Sequence, residues 1–199
     1  RPQLEVFAEQ HGLKIGTFAD LIAYRALHEQ SVDLRDSRTV STDWGEFTLH
    51  TFLDLIDDTV HYALCLGDVD PDGDTLVRVQ AVNTLRDVLC TRIGDGEPGW
   101  SYRRCMARIA REGAGVMVLI GHSATADQHL AEVVQYPTPL SVTGSSGPGE
   151  SQNYRAVGTG SQILRRLGVG RMRLMSAPIH FNALSGFDLE VTDFIGPED

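Results

Sequence analysis

Several groups of polar residues in this chain have the right types for chemistry, and their spacing decides how far each reading goes. In "DVDPDGD", Asp68, Asp70, Asp72 and Gly73 repeat the alternating carboxylates and sharp glycine turn that wrap a hard cation such as Ca²⁺. The twelfth position of such a loop requires a bidentate Glu, and here it is Val79. Strand-like segments flank the stretch, so it reads as a hairpin turn built on Pro71, Asp72 and Gly73, with calcium as the lesser alternative. His122, Asp127 and His129 are of the types that hold a transition metal or serve as a general base. On a helix, however, Asp127 would point away from the two histidines, and ordinary surface polar groups are the plainer reading. His50, His61 and His180 are isolated in the sequence and read as core or surface histidines.

For nucleophilic catalysis no G-x-S-x-G elbow is present. "GSSGPG", Gly144 to Gly149, is glycine-rich but lacks the Lys and Ser/Thr of a phosphate-binding Walker loop, and it reads as a flexible loop. A helix starting near Thr159 would offer its N-terminus to an anion, as any helix does. Cys65, Cys90 and Cys105 are widely spaced, with no C-x-C or C-x-x-C pair, which matches neither a disulfide framework nor paired metal ligands. That usage suits a reducing, cytoplasmic setting.

Composition limits the partners. The 199 residues suffice for one ordinary domain, or one domain and a short appendage. With 42% hydrophobic and 22% charged residues the chain has the make-up of a folded protein. A formal net charge of -10 repels phosphate backbones, which argues against a nucleic-acid partner. The densest basic cluster, Arg165, Arg166, Arg171 and Arg173, reads as a solvated helix end and strand edge, with a phosphate-recognition face as the alternative. No apolar run reaches the roughly 18 residues of a membrane span, and no signal peptide is visible. The chain begins with Arg1 and not Met, which suggests a piece of a longer protein.

The elements that must position these groups follow from periodicity. Leu4 to His28 reads as two short helices, the second capped by Thr17. "SVDLRDSRTVST", Ser31 to Thr42, suits a linker or an exposed strand, and a boundary is placed near Arg38. Phe47, Leu49 and Thr51 alternate ahead of the turn "IDDT", and Val60 to Leu66 follows, which is a hairpin signal. "WSYRRCMARIAREGAG" reads as a helix ending near Gly113, and "VMVLI", Val116 to Ile120, as a fully buried strand. Thr125 to Gln135 suits a further helix, and Tyr136 to Ser151, rich in Pro, Gly and Ser, reads as a loop. A helix ended by Gly168 and strands at Met172 to Met175 and in "FDLEVTDFI" complete the chain. Strands first, then alternating helices and strands, predict an α+β or mixed α/β domain.

Taken in order, "WGEFTLHTF", "ALCLGDV", "TLVRVQ", "RIAREGAGVMVLI", "SQILRRLGVGRMRLM" and "LSGFDLEV" resemble the GTP cyclohydrolase II domain of riboflavin biosynthesis over residues 42 to 192. "LEVFAEQHGLKIGTFADLIAYR" looks like the end of 3,4-dihydroxy-2-butanone 4-phosphate synthase and the link that follows it in fused riboflavin enzymes. The resemblance thus implies residues 1 to 38 as synthase tail and linker and 39 to 199 as a cyclohydrolase-II-like domain.

The same resemblance exposes what is missing. The family's zinc loop follows the "VRV" strand as H-S-E-C-L-T-G-D-V and then R-C-D-C-G, which places its three cysteine ligands on Asn83, Gly94 and Gly96. None supplies a thiolate, although Asp87 and Asp95 keep their positions. Without Zn²⁺ no activated water is available to open the imidazole ring of GTP. R-Q-E-G-R-G-I-G-L falls on "GHSATADQH", where Gly121 and Thr125 replace both arginines, and D-x-R-D-Y-G falls on "SQNYRAVG", keeping Tyr154.

The resulting expectation is a domain with no catalytic residue of its own and no cofactor, with the family's zinc lost. It would be joined to an upstream synthase that uses Mg²⁺, would pair as a homodimer, and would act as a structural or regulatory module. Arg78, Asp87, Asp95, His122, Asp127 and Tyr154 outline its vestigial pocket. The alternatives are a zinc-independent nucleotide hydrolase using His122, Asp127 or His129 as base, and a sensor that binds a nucleotide or flavin.

Overall fold

In the computed structural model, residues 2–15, 24, 29, 31–91, 99–121, 125–135, 148–178 and 188–197 are described. Their centre is one seven-stranded mixed sheet of β1 (Val32–Thr42), β2 (Gly45–Asp54), β3 (Thr59–Leu66), β4 (Asp74–Ala81), β5 (Gly115–Ile120), β6 (Arg171–Met175) and β7 (Glu190–Ile195). The spatial order is β1-β2-β3-β5-β4-β6-β7. The β1–β2, β2–β3 and β3–β5 pairs are antiparallel, whereas β4 runs parallel to both β5 and β6, and β6 parallel to β7. The mixed α/β class expected from the order of elements is therefore the fold.

Alternation along each strand loads both faces with apolar side chains, because successive residues point to opposite sides. One face carries Phe52, Ala63, Val77, Val116 and Val118 and is covered by Ile163 and Leu164 of helix α4 (Pro148–Arg166). The other carries Phe47, Leu64, Leu76 and Met117 and is covered by Cys105, Met106 and Ile109 of helix α2 (Tyr102–Glu112). With cover on both sides, β5 needs no polar residue, and "VMVLI" is buried apart from the half-buried Leu119.

Helix α2 begins at Ser101, whose side chain accepts from the Arg104 amide, and ends at Gly113 with φ 80, where an L residue would be strained. Trp100 donates its indole N–H to Ile195 O at 3.0 Å, and Arg104 donates to Pro197 O at 2.6 Å. The start of α2 is thereby fastened to the C-terminal edge strand. Helix α1 (Pro2–His11) buries Ala8 and leaves Leu4, Val6 and Phe7 exposed. The expected second N-terminal helix falls outside the described residues except for Tyr24, which is helical. Ser31 to Thr42, readable as linker or strand, is an edge strand from Val32 onward, with a register shift between Leu34 and Asp36.

Helix α3 (Ala126–Gln135) and helix α4 frame the segment that reads as a loop. That reading runs too far, because α4 is already formed at Pro148, a residue whose fixed φ suits a first helical turn. The helix expected to start near Thr159 starts eleven residues earlier, so Thr159 sits in its interior and offers no N-terminus to an anion. Gly160, inside this helix, serves close packing. A Cβ at Gly160 would lie 2.9 Å from Val79 Cγ1.

Candidate functional site

The parallel strands β4, β5 and β6 end along one edge of the sheet, the place where open α/β sheets gather ligand-binding residues. Arg78 and Gln80 lie two apart on β4 and so share the face that α2 covers further down the strand. The Arg78 guanidinium donates to Met175 O at 2.6 Å and to Gln80 Oε1 at 3.3 Å. Among the described residues it makes no ion pair, and burial lowers its pKa. Gln80, 3% exposed, passes the network on by donating to Asp87 Oδ1 at 2.8 Å.

Beyond β4 the chain makes a single π-helical turn, Thr84–Val88. Such turns are rare in proteins and concentrate at functional sites. Asn83 caps it, with its side chain accepting from the Arg86 amide at 2.9 Å. Asp87 accepts from the Asn83 amide at 3.0 Å and from Arg86 Nε and Nη2 at 2.9 and 2.8 Å. Burial raises the Asp87 pKa, but the Arg86 hydrogen bonds, the Asn83 amide and Gln80 outweigh it, and the net direction is down. An ionised carboxylate has about four lone-pair sites, and Gln80, Asn83 and Arg86 occupy them. Asp87 is therefore a structural anion and not a poised base.

The metal-binding expectations can be tested on this geometry. Asn83 has its side-chain oxygen committed to the π turn, and Gly94 and Gly96 bring no side-chain donor. Cys65 belongs to the core under α4 and Cys105 to the core under α2, so the sheet separates them. Burial pushes the Cys65 thiol up to about 12 and the Cys105 thiol up to about 11, which keeps both protonated and poor ligands. Cys90 is exposed on the turn after Val88. Among the described residues no three His, Cys, Asp or Glu side chains are grouped to hold a metal ion. The described residues do not fit a tetrahedral zinc site.

Other candidates separate in the same way. "DVDPDGD" forms the β3–β4 connection, with Asp70 Oδ1 accepting from the Asp72 amide at 3.0 Å and Asp70 O from the Gly73 amide at 3.1 Å. This is the turn, and the calcium alternative is set aside. Asp127 and His129 are exposed on the first turns of α3 and, two residues apart, diverge. Asp95 and His122 lie outside the described residues, and Tyr154 is placed in α4 by its backbone alone. Of the pocket named from the sequence, the structure thus brings together Arg78 and Asp87, through Gln80. Arg165, Arg171 and Arg173 pair with Asp188, Asp74 and Glu112, which favours the solvated-face reading over a phosphate site.

A buried polar cluster went unnoticed in the sequence. Asp54 and His61, each 2% exposed, face one another across the β2–β3 hairpin at 3.8 Å. Gly121 N–H donates to His61 Nδ1 at 3.0 Å, which puts the neutral ring's proton on Nε2, the nitrogen that faces Asp54. Asp54 also accepts from the Ile56 amide at 2.8 Å and from Thr159 Oγ1 of α4 at 3.5 Å. The cluster fixes the end of β5, where the segment matching the family's arginine stretch begins. A signal was available: Asp54 pairs with Thr59 and Phe52 with His61, so both polar residues sit diagonally on one face.

A mixed α/β sheet whose parallel strands β4, β5 and β6 end along one edge, with Arg78, Gln80 and Asp87 linked there, defines the class of this protein. Residues 33–196 match the family GTP cyclohydrolase II. The chain belongs to that family. It is 45% identical, over all of its length, to a 3,4-dihydroxy-2-butanone 4-phosphate synthase of Pseudomonas aeruginosa, of which the match covers 52%. It is 35% identical over 96% of its length to the riboflavin biosynthesis protein RibBA of Aquifex aeolicus, covering 48% of that protein. Among solved structures it resembles RibBX, a two-domain 3,4-dihydroxy-2-butanone 4-phosphate synthase from A. baumannii. The TM-score is 0.68 at 37% identity, covering 98% of this chain and 49% of that one. The chain spans about half the length of these relatives. Among the described residues no helix is long and apolar enough to cross a membrane.

Proposed function

We propose that this riboflavin-biosynthesis domain lacks GTP cyclohydrolase activity and serves as the structural or regulatory partner of a synthase domain in the same protein. The observation that carries the reading is the fate of the zinc loop. Asn83 is spent as a cap, Asp87 is saturated by neighbouring donors, Cys65 and Cys105 are buried on opposite faces of the sheet, and Cys90 alone brings a thiol to this loop among the described residues. The relatives named 3,4-dihydroxy-2-butanone 4-phosphate synthases carry this half at similar proportion, which supports a synthase half upstream, to which we assign the Mg²⁺. In that arrangement the residues ahead of β1 are the tail of the synthase and its link, the cyclohydrolase-like domain takes in the whole of β1 instead of starting after Arg38, and the whole protein pairs as a cytoplasmic homodimer.

The test is GTP turnover by the purified protein with added Zn²⁺, with bound metal quantified on the same sample. No zinc and no release of formate or pyrophosphate, from a sample that melts cooperatively, is the expected result. Stoichiometric zinc with turnover overturns the proposal.

One observation favours a second reading, a nucleotide or flavin sensor. Arg78 holds a cation at the carboxyl edge with no carboxylate paired to it among the described residues, which suits an anionic ligand. A rise in melting temperature with GTP, its diphosphate or flavin mononucleotide, abolished in Arg78→Met, would support it; no shift at millimolar ligand rejects it.

A further inference from the structure

We infer that Arg86 is a built-in cation that ties the loop after β4 in place and does there, without a metal, what a metal-bound loop does by coordination. The inference rests on the metal-free reading above and extends it to a named residue. In the family's H-S-E-C-L-T-G-D-V pattern, the position of Arg86 is a glycine next to the Asp that Asp87 matches. Here the side chain at that position ties Asp87 to the end of β4, and the backbone amide of the same residue is held as well. Its Nε and Nη2 make a two-pronged contact with Asp87 at 2.9 and 2.8 Å, and Nη2 also donates to Ala81 O, the last residue of β4, at 2.7 Å. Its amide is held by Asn83 Oδ1 at 2.9 Å.

The geometry has the logic of a metal site written in hydrogen bonds. A planar guanidinium presents several donors in a fixed fork and never loses its charge, so it neutralises a carboxylate and orders several acceptors around itself. A thiolate-bound zinc does the same by coordination. Asp87, 9% exposed at its side chain, would be a costly lone anion in this place without such a partner. The rest of the loop is closed by its own backbone, with Leu89 N donating to Thr84 O and Thr91 N to Leu85 O, both at 2.9 Å. Asn83 and Arg86 thus act as a pair, the first replacing a ligand and the second supplying the positive charge.

The experiment uses the full protein with its upstream domain and compares wild type, Arg86→Ala and Arg86→Lys by amide hydrogen exchange and by melting with EDTA or added Zn²⁺. In the wild type, neither EDTA nor Zn²⁺ moves the melting temperature. In Arg86→Ala, exchange at the Asn83 and Asp87 amides rises by roughly tenfold or more, the loss expected for a charge-assisted hydrogen-bond network. Arg86→Lys keeps the charge but not the fork, so it restores part of that protection and also covers the case in which the alanine variant fails to fold. Unchanged exchange in both variants overturns the inference while leaving the metal-free reading intact. A wild type that melts lower in EDTA and binds stoichiometric zinc overturns both.

Discussion

Gly121 sits against the carbonyl oxygen of Val60 so closely that a Cβ at this position would come within 2.2 Å of it. The family pattern has an arginine here. The backbone at the end of β5 has closed onto β3, where the Gly121 amide is held by His61, and no side chain fits between. Restoring the family residue by Gly121→Arg will not restore a phosphate-binding group. Overpacking at a tight backbone contact costs about 1–3 kcal/mol, so Gly121→Ala already lowers the denaturation midpoint and Gly121→Arg lowers it further or abolishes folding. A Gly121→Arg protein as stable as wild type would show that the loop reopens.

The Asp54–His61 pair makes a second prediction. His61→Leu keeps the volume but leaves the Gly121 amide without its acceptor and Asp54 facing an apolar group. Leaving buried partners unsatisfied costs about 3 kcal/mol. Urea titration of His61→Leu and Asp54→Asn reads the loss. The double variant His61→Leu with Asp54→Leu should recover part of it, because a matched apolar pair strands fewer charges.

Acid stability follows from two carboxylates. Asp87 is buried, which raises its pKa, yet the bonds from Arg86, Asn83 and Gln80 bring it below the ordinary value. At Glu112 burial likewise raises the pKa, and the bonds from Arg108 and Arg173 outweigh it. A depressed folded-state pKa adds stability that is present above the unfolded value of about 4 and is lost as pH falls through the folded one. Stability therefore declines on acidification through and below pH of about 4, and Asp87→Asn flattens that decline. An unfolding midpoint with the same acid slope in Asp87→Asn would refute the assignment.

The thiols should differ sharply. Cys90 is exposed, whereas Cys65 and Cys105 are buried with thiols raised to about 12 and about 11. A disulfide reagent at neutral pH should titrate one thiol rapidly in the folded protein and the others only on unfolding, and Cys90→Ser should remove the fast phase.

Helix α4 reaches the segment that precedes β1. The Gln162 side chain accepts from the Ser31 amide and donates to Glu29 O, both at 2.9 Å, while Ser31 O accepts from the Leu55 amide at 2.7 Å. Gln162→Ala should speed exchange of the Ser31 amide and protease cleavage in the residues before Val32, at a cost of about 1 kcal/mol in global stability. Unchanged cleavage would show that this segment is held elsewhere.

What could be read from the sequence was whatever burial writes as a pattern. The unbroken "VMVLI" became a doubly covered strand, and Gly113 ended α2 as its place after the last apolar repeat requires. The parts that escaped depend on neighbours distant in the chain. The packing role of Gly160 did not show, because its reason is a strand residue, Val79, about eighty positions away. The π turn leaves no periodic trace in five residues, and Asp54 and His61 could be joined only by aligning the hairpin first. For the site, the sequence showed that Asn83, Gly94 and Gly96 carry no thiol where the resemblance sets the family's zinc ligands, but the contacts of Arg86 were not legible, since its partners became clear only with the chain folded.

The shift in β1 between Leu34 and Asp36 has a consequence for assembly. An outermost strand with free amides and carbonyls invites another chain to add itself as the next strand, and irregular pairing together with a row of charges is how proteins discourage that. Here Asp33, Arg35, Asp36 and Arg38 line the margin and pair among themselves. Growth of the sheet from copy to copy is discouraged on this side, so two such domains in one particle are steered to meet elsewhere than along β1.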